Sequence, residues 1–334
     1  MSWYNDENRA DDIVVTSRVR LARNVEGYPF PALMTDEMFD SLCEKVKAAV
    51  AQSNTPFANS LKFISMNSVP DIQVKAMVER HLISPEFALN RKNKAIIISD
   101  DESVCVMIGE EDHIRIQVMY NGTELDRAYE TADKLDSLLN SKLHFAFDTQ
   151  LGFLTECPTN LGTGMRASVM LHLPLLEATG AIRYISESLN KIGFTVRGIY
   201  GEGSKSSAGL YQLSNQITLG ISEKDALNNL KTIAHQIIEK ERDARKNTDL
   251  TELTDSVCRA YGILKYARKL STDEMMNYIS LVNLGVSSGI LDIPKYIPVK
   301  ILIQAQPHML MLMYPDADVK RLDEKRAEYI RELL

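Results

Sequence analysis

A chain of 334 residues that is 45% apolar and 25% charged has the composition of a folded globular protein, which excludes a disordered or collagen-like one. Its 38 basic and 45 acidic residues leave a formal net charge of −7, so a nucleic-acid binder working by broad phosphate neutralisation is excluded as well. Any phosphate chemistry must use a few focused cations. The first residues lack the basic and apolar regions of a signal peptide, and no run reaches ~18 apolar residues. The four cysteines, Cys43, Cys105, Cys157 and Cys258, lie far apart without a CxxC pair, an arrangement that fits a reducing cytoplasm better than a disulfide framework or a zinc site.

In chain order, Ile13 to Val15 reads as a short strand feeding the basic segment 17–24. Met38, Phe39, Leu42, Val46, Ala49 and Val50 keep a 3–4 spacing and predict a helix over 35–52. A strand over 61–66, a helix over 69–81 and strands over 95–99 and 103–108 follow. In 113–119 Ile114, Ile116 and Val118 alternate with Arg115 and Gln117, which places Arg115 on the face opposite the isoleucines. The pattern then predicts a helix over 124–143, a loop over 152–164, helices at about 165–178 and 180–192, and strands over 195–200 and 210–219 around a loop. A long helix over 222–246 opens with Ser222 and Asp225. The polar stretch Asn247 to Thr251 reads as a linker, and the remainder as a bundle of roughly four helices. The expected organisation is a domain of mixed helices and strands over 1–246 and a helical domain over 252–334.

Familiar nucleotide motifs are absent. The nearest approach to a P-loop, Gly203-Ser-Lys-Ser206, has Ser204 where glycine is required. Neither a Rossmann fingerprint nor the eukaryotic-type kinase set is present. Four other segments combine cations, glycines and carboxylates. In Thr16-Ser-Arg-Val-Arg20, a strand would point Arg18 and Arg20 the same way, so that two guanidinium forks grip one polyanion; a solvated edge strand is the plainer alternative. Gly109-Glu-Glu-Asp-His-Ile-Arg115 puts three carboxylates at the mouth of a strand, where an accepted proton or a held cation is needed. Glu156-Cys-Pro-Thr-Asn-Leu-Gly-Thr-Gly-Met-Arg-Ala-Ser168 offers small residues and backbone N–H groups before an expected helix, which suits an anion. Val196-Arg-Gly-Ile-Tyr-Gly-Glu-Gly203 flanks a tight turn with Arg197 and Glu202.

Together, in this order and approximate spacing, the four segments resemble the phosphagen (guanidino) kinases over about residues 12–246. The helical region at the C-terminal end, with His81-Leu-Ile-Ser-Pro85 and Ser214-Asn-Gln-Ile-Thr-Leu-Gly220, resembles the bacterial protein-arginine kinase branch. The resemblance implies an α+β fold, an antiparallel sheet flanked by helices, followed by an all-α C-terminal domain. It implies ATP-dependent phosphorylation of arginine side chains in proteins. By resemblance Glu111 is the general base, Glu202 a second carboxylate holding the guanidinium, and Cys157 its neighbour. Arg18, Arg20, Arg115, Arg166 and Arg197 would surround the ATP phosphates. Thr16, Ser17, Val19, His81, Ala167, Ser168, Val169, Met170, Gly198, Ile199, Tyr200, Gly201 and Glu202 would complete the nucleotide site, with Mg²⁺ held by phosphates and water rather than by a protein ligand. It further implies a homodimer, a zinc-binding activator, a Clp-type protease in stress control, and a phosphoarginine-reading site at Asp323, Arg326 and Ala327. Two departures stand out: Lys205 and Ser206 follow Glu202, where relatives often have Glu-Ala, and Leu322 replaces the leading arginine of the C-terminal string. A kinase for a free guanidino metabolite and a non-catalytic arginine-binding adaptor are the alternative readings.

Overall fold

The computed structural model describes residues 2–5, 7–52, 59–199, 206 and 208–334. The chain runs β1 (Val14–Arg23), α1 (Asp36–Ala51), β2 (Leu61–Ser65), α2 (Asp71–Glu79), α3 (Pro85–Leu89), β3 (Ala95–Ser99), β4 (Val104–Ile108), β5 (Ile114–Asn121), α4 (Leu125–Leu143), β6 (Phe147–Asp148), β7 (Gly152–Phe153) and β8 (Met165–His172). It continues through α5 (Pro174–Ala178), α6 (Ala181–Asn190), β9 (Phe194–Gly198), β10 (Leu210–Asn215) and α7 (Glu223–Lys246). The C-terminal part consists of α8 (Leu250–Tyr266), α9 (Thr272–Ser287), α10 (Tyr296–Gln304), α11 (Pro307–Met313) and α12 (Leu322–Leu333). Among the described residues the main sheet has eight strands in the order β2-β3-β4-β5-β1-β8-β10-β9, and its neighbours pair antiparallel. The fold is therefore α+β with an antiparallel sheet, as expected.

The basic segment is not an edge. It is most of β1, which pairs with β5 on one side and β8 on the other. Strand alternation sends Val19 and Leu21 into the main core with α1, α4 and α7, and Arg18 and Arg20 to the opposite face. That opposite face is covered at two places. The helices α2 and α3 pack on β3 and β4 through Met77, Phe87, Ile96, Ile98 and Met107. The C-terminal helices reach Val15, Met119, Met170 and Leu210. The arginine-bearing middle lies between these covers.

Three sequence expectations change. Residues 165–172 form strand β8, not a helix. Met165, Ala167, Val169 and Leu171 enter the core at period two, and pairing with both β1 and β10 outweighs the helix propensity of Met, Ala, Arg and Leu. The linker is a capped turn, since the Asp249 side chain accepts from Thr251 N and Glu252 N and α8 begins inside the expected segment. The C-terminal part has five helices among the described residues, because Pro307 opens a new helix where the run 296–313 would otherwise be continuous.

His172 at the end of β8 joins the sheet to the C-terminal helices. Asn283 of α9 donates to its Nδ1 at 3.0 Å, which leaves Nε2 to donate to Ser280 Oγ at 2.8 Å. Burial pushes its pKa from the usual 6.5 to about 3, with a smaller effect of Arg245. The folded state thus holds a neutral imidazole, and the unfolded chain binds the proton more readily. The stabilising contribution is complete above about pH 6.5 and is lost as pH falls from there toward 3. Chemical denaturation at a series of pH values should show stability falling across that window. The slope in His172→Gln should be shallower by up to about one proton; identical slopes would remove His172 from the acid response.

Candidate active site

The antiparallel register sets Arg20 beside Arg166, Arg18 beside Ser168, and Gln212 beside Arg197, all on the part of this face that lies between the two covers. They line a cavity of about 410 Å³ together with Thr16, His81, Met170, Gly198 and Ile199. Arg18 is oriented by Ser168 Oγ at 3.4 Å and by Gln212 Oε1 at 2.5 Å. Burial first, then Arg115 and Arg166, pulls the Arg18 pKa down to about 10. The same causes, with Arg18 added, push Arg20 well below its usual value. Guanidinium does not give up its proton at physiological pH, so these directions report repulsion among desolvated cations. A polyanion is the ligand that relieves it. Arg20 Nε and Arg166 Nε are buried without a hydrogen-bond acceptor among the described residues, which fits the same ligand. His81, with φ of 59°, offers its carbonyl to Gln117 Nε2 at 2.7 Å, and burial beside Arg18 lowers its pKa to about 4, so it meets the cavity as a neutral ring.

A second cavity of about 250 Å³ shares Arg20 and Arg166 with the first and adds Glu111, Arg115, Cys157, Thr159 and Asn160. The three consecutive carboxylates have separate tasks. Glu110 pairs with Arg115 Nη1 and accepts from Ser84 Oγ at 2.6 Å. Asp112 is fully buried, and its Oδ1 accepts from Asn24 Nδ2 at 2.7 Å and from the backbone of Glu156 at 2.9 Å. Glu111 alone is substantially exposed, at 42%, and lines the cavity with one contact of 3.2 Å to Arg115. Of the three, Glu111 is the one that lines the second cavity.

The loop carrying Cys157 is tied down from three sides. Asn24 Nδ2 donates to Leu154 O, Asp112 holds Glu156 N, and Thr218 Oγ1 bonds the carbonyls of Thr159 and Leu161. Gly164 lets it cross close over β1: with φ of +61°, any Cβ there would lie 2.6 Å from Ala22 O. On the core face Arg23 supports the same loop by donating to Thr163 O at 2.9 Å and stacking on Phe153 at 3.6 Å, while Asp136 holds it at 2.8 Å. The loop holds a short 3-10 turn at Pro158–Asn160 and leads into β8 rather than a helix, so the expected helix N-terminus for an anion is replaced by strand-borne arginines.

The cavities gather Thr16, Arg18, Arg20, His81, Arg115, Arg166, Ser168, Met170, Arg197, Gly198, Ile199, Glu111 and Cys157. Ser17, Val19, Ala167 and Val169 do not line them. Val19, Ala167 and Val169 sit in the main core, and Ser17 bonds Gly122 O and Glu124 N, because alternate residues of a strand face opposite ways. Tyr200, Gly201, Glu202 and Lys205 lie outside the described residues. Asp323, Arg326 and Ala327 are in the helical part instead. Arg326 is buried and donates to Ala305 O, Leu270 O and Asp323 Oδ1, while Leu322 and Ala327 are buried in packing. Thr195, Gln212 and Ser214 line the first cavity and were not foreseen. The alternation of Gln212 and Ser214 with Tyr211 and Leu213 was a signal, but only strand pairing shows which face is the site.

Residues 41–244 match the family described as ATP:guanido phosphotransferase, C-terminal catalytic domain, and residues 250–334 match the protein-arginine kinase McsB C-terminal domain. The chain is 43% identical over 323 residues to the protein-arginine kinase of Caldanaerobacter subterraneus subsp. tengcongensis, covering 96% of each. It is also 43% identical over 346 residues to that of Brevibacillus brevis, covering 100% of this chain and 95% of the relative. The chain belongs to the protein-arginine kinase family. Among solved structures, lombricine kinase shares the fold with a TM-score of 0.63 at 21% identity, over 73% of this chain and 70% of that one. The duplicated taurocyamine kinase from Schistosoma mansoni with bound transition state analog components is similar over 95% of this chain and 50% of that one, at 25% identity and a TM-score of 0.62.

Membership of the protein-arginine kinase family implies ATP as the phosphoryl donor, and the arginine cavity has the charge for its phosphates. Arg20→Gln should weaken ATP binding at least about tenfold by calorimetry, as expected for a desolvated charge contact. The thermal midpoint without nucleotide should not fall, because one repelling cation is removed. A drop in that midpoint with unchanged ATP affinity would contradict the electrostatic account.

Proposed function

We propose that this protein transfers the γ-phosphoryl group of ATP to a guanidinium nitrogen of arginine side chains in proteins. The observation that carries this reading is the shared wall: Arg20 and Arg166 line both the polyanion cavity and the cavity of Glu111 and Cys157. A phosphoryl group moving from one to the other stays beside the same two cations. Phosphoryl transfer is helped chiefly by alignment and by positioned positive charge on the equatorial oxygens. Guanidinium is a poor nucleophile because its lone pair is delocalised and it is protonated. The Glu111 carboxylate orients it and accepts the proton as the N–P bond forms and the P–O bond to the departing ADP breaks. Glu202 is the proposed second carboxylate on the fork, from the resemblance, and Cys157 flanks the same group.

Among the described residues no cluster of three or more His, Cys, Asp or Glu is placed to hold a metal. Mg²⁺ is proposed to ride on the nucleotide phosphates and water, where it neutralises developing charge. The catalytic domain is proposed as 1–246 and a dimerising, regulatory domain as 252–334. A homodimer through the latter is proposed from the resemblance. A zinc-binding activator, a Clp-type protease and a cytoplasmic stress role rest on the resemblance. No helix of the described residues is long and apolar enough to cross a membrane. A phosphoarginine bound at Asp323, Arg326 and Ala327 would compete with bonds that already hold α12 in place.

Incubation with Mg-ATP and an arginine-rich protein, followed by mass spectrometry without acid, should find phosphate on protein arginines, with free arginine inert. Turnover of free arginine alone would favour a metabolite kinase, and ATP binding without either product an adaptor. Glu111→Gln should abolish transfer and leave ATP affinity nearly intact; normal turnover in that variant would overturn the base assignment.

A further inference from the structure

A third cavity, of about 470 Å³, meets the second at Glu111. Part of its lining is the turn Pro31–Leu33 with Met34 and Phe39; another part is the turn 90–94 that follows α3. Asp36 joins these two walls by accepting from Asn93 Nδ2 at 2.8 Å and pairing with Lys92 at 3.1 Å. Leu33 and Leu89, each next in sequence to lining residues, are 76% and 88% exposed. The groove is thus a concavity with one apolar wall, from Pro31, Ala32, Met34 and Phe39, and otherwise polar and charged lining, continuous with the second cavity at Glu111.

Its charges are unequally satisfied. Lys92 is taken by Asp36, and Lys94 Nζ by the carbonyls of Glu86 and Phe87 at 3.4 and 3.2 Å. Glu110 is taken by Arg115 and Ser84. Glu156 remains: its side chain is exposed, it lines the groove, and among the described residues it forms no ion pair. Its backbone is anchored by Asp112, so the carboxylate is presented from a fixed point. Partial burial, then Asp112 and Glu111, raise its pKa, and a nearby cation would reverse that cost.

We infer that this groove docks the substrate polypeptide beside the acceptor arginine and that Glu156 receives a second basic side chain on that polypeptide. An acceptor arginine reaching the second cavity brings its own backbone to the mouth, where Glu111 joins the two spaces. In an extended chain, side chains on one side recur every second residue, ~7 Å apart. The chain thus presents a neighbouring lysine or arginine to Glu156 while an apolar side chain lies against Met34 and Phe39. This is the strand-like mode in which pockets for alternate side chains give specificity. The inference rests on the protein-arginine kinase reading and adds a preference among its substrates.

The test uses peptides of equal length with one central arginine and neutral flanks, with lysines two residues to either side, or with glutamates there. Lysine cannot replace arginine as the acceptor product, so phosphoarginine formation reports one site. The lysine peptide should show KM roughly threefold below the neutral one at equal kcat, as for a largely exposed charge pair. Glu156→Gln should erase that difference without altering kcat on the neutral peptide, and Glu156→Lys should shift preference to the glutamate peptide. Equal KM for all peptides, or a lysine preference that survives Glu156→Gln, would overturn the groove while leaving the kinase reading in place. Should no peptide or protein be phosphorylated, the kinase reading fails. Fluorescence anisotropy of the labelled peptides without ATP then decides the groove: lysine-dependent binding lost in Glu156→Gln supports it, and binding indifferent to lysine overturns it.

Discussion

Mutual repulsion among guanidinium groups on one face of a sheet is the constraint from which the rest of this structure follows. Arg18 and Arg20 come from one of the two central strands and Arg166 from its neighbour, and backbone hydrogen bonds on both sides of β1 hold them together against their charge. An exposed edge strand would let such side chains splay into water. In the middle of an eight-stranded sheet they cannot separate, and the field they create is available to a ligand. A net-acidic protein concentrates positive potential in this way without a basic surface.

The remaining parts of the site are arranged around that field. Asp112 is a buried carboxylate whose use is positional: it ties the turn bearing Glu111 to the loop bearing Cys157, and Asn24, one residue beyond β1, ties both to the sheet. Glu110 draws Arg115 toward the same turn. The second cavity is therefore built from segments far apart in sequence but referred to one strand. Preorganisation of this kind spares reorganisation during the reaction.

The helical C-terminal part is joined to the catalytic sheet by polar contacts as well as apolar packing. His172 reaches Ser280 and Asn283. Glu79 at the end of α2 accepts from the backbone of His308 and Met309 at the start of α11. His81, which lines the first cavity, follows two residues later, in a turn whose carbonyl is held by Gln117. The arginine-lined cavity and the C-terminal helices are thus linked through the few residues from Glu79 to His81.

Local chemistry was legible in the sequence where it depended on neighbours along the chain. The Ser222 cap, the alternation of Arg115 with isoleucines, the four charged segments and the family they resemble could all be read from residue order. Residues 165–172 could not, because Met, Ala, Arg and Leu favour a helix locally and only pairing with β1 and β10 makes them a strand. Which members of each segment reach the site was also undecided: Ser17, Val19, Ala167 and Val169 read as well as Arg18 and Ser168 until the strands were placed between neighbours. Only the tertiary structure assigned three adjacent carboxylates to three tasks and let Arg20 and Arg166 line two cavities at once. The physical reason is that capping and alternation act over a few residues, whereas burial, register and charge proximity are set by segments that meet only when the chain folds.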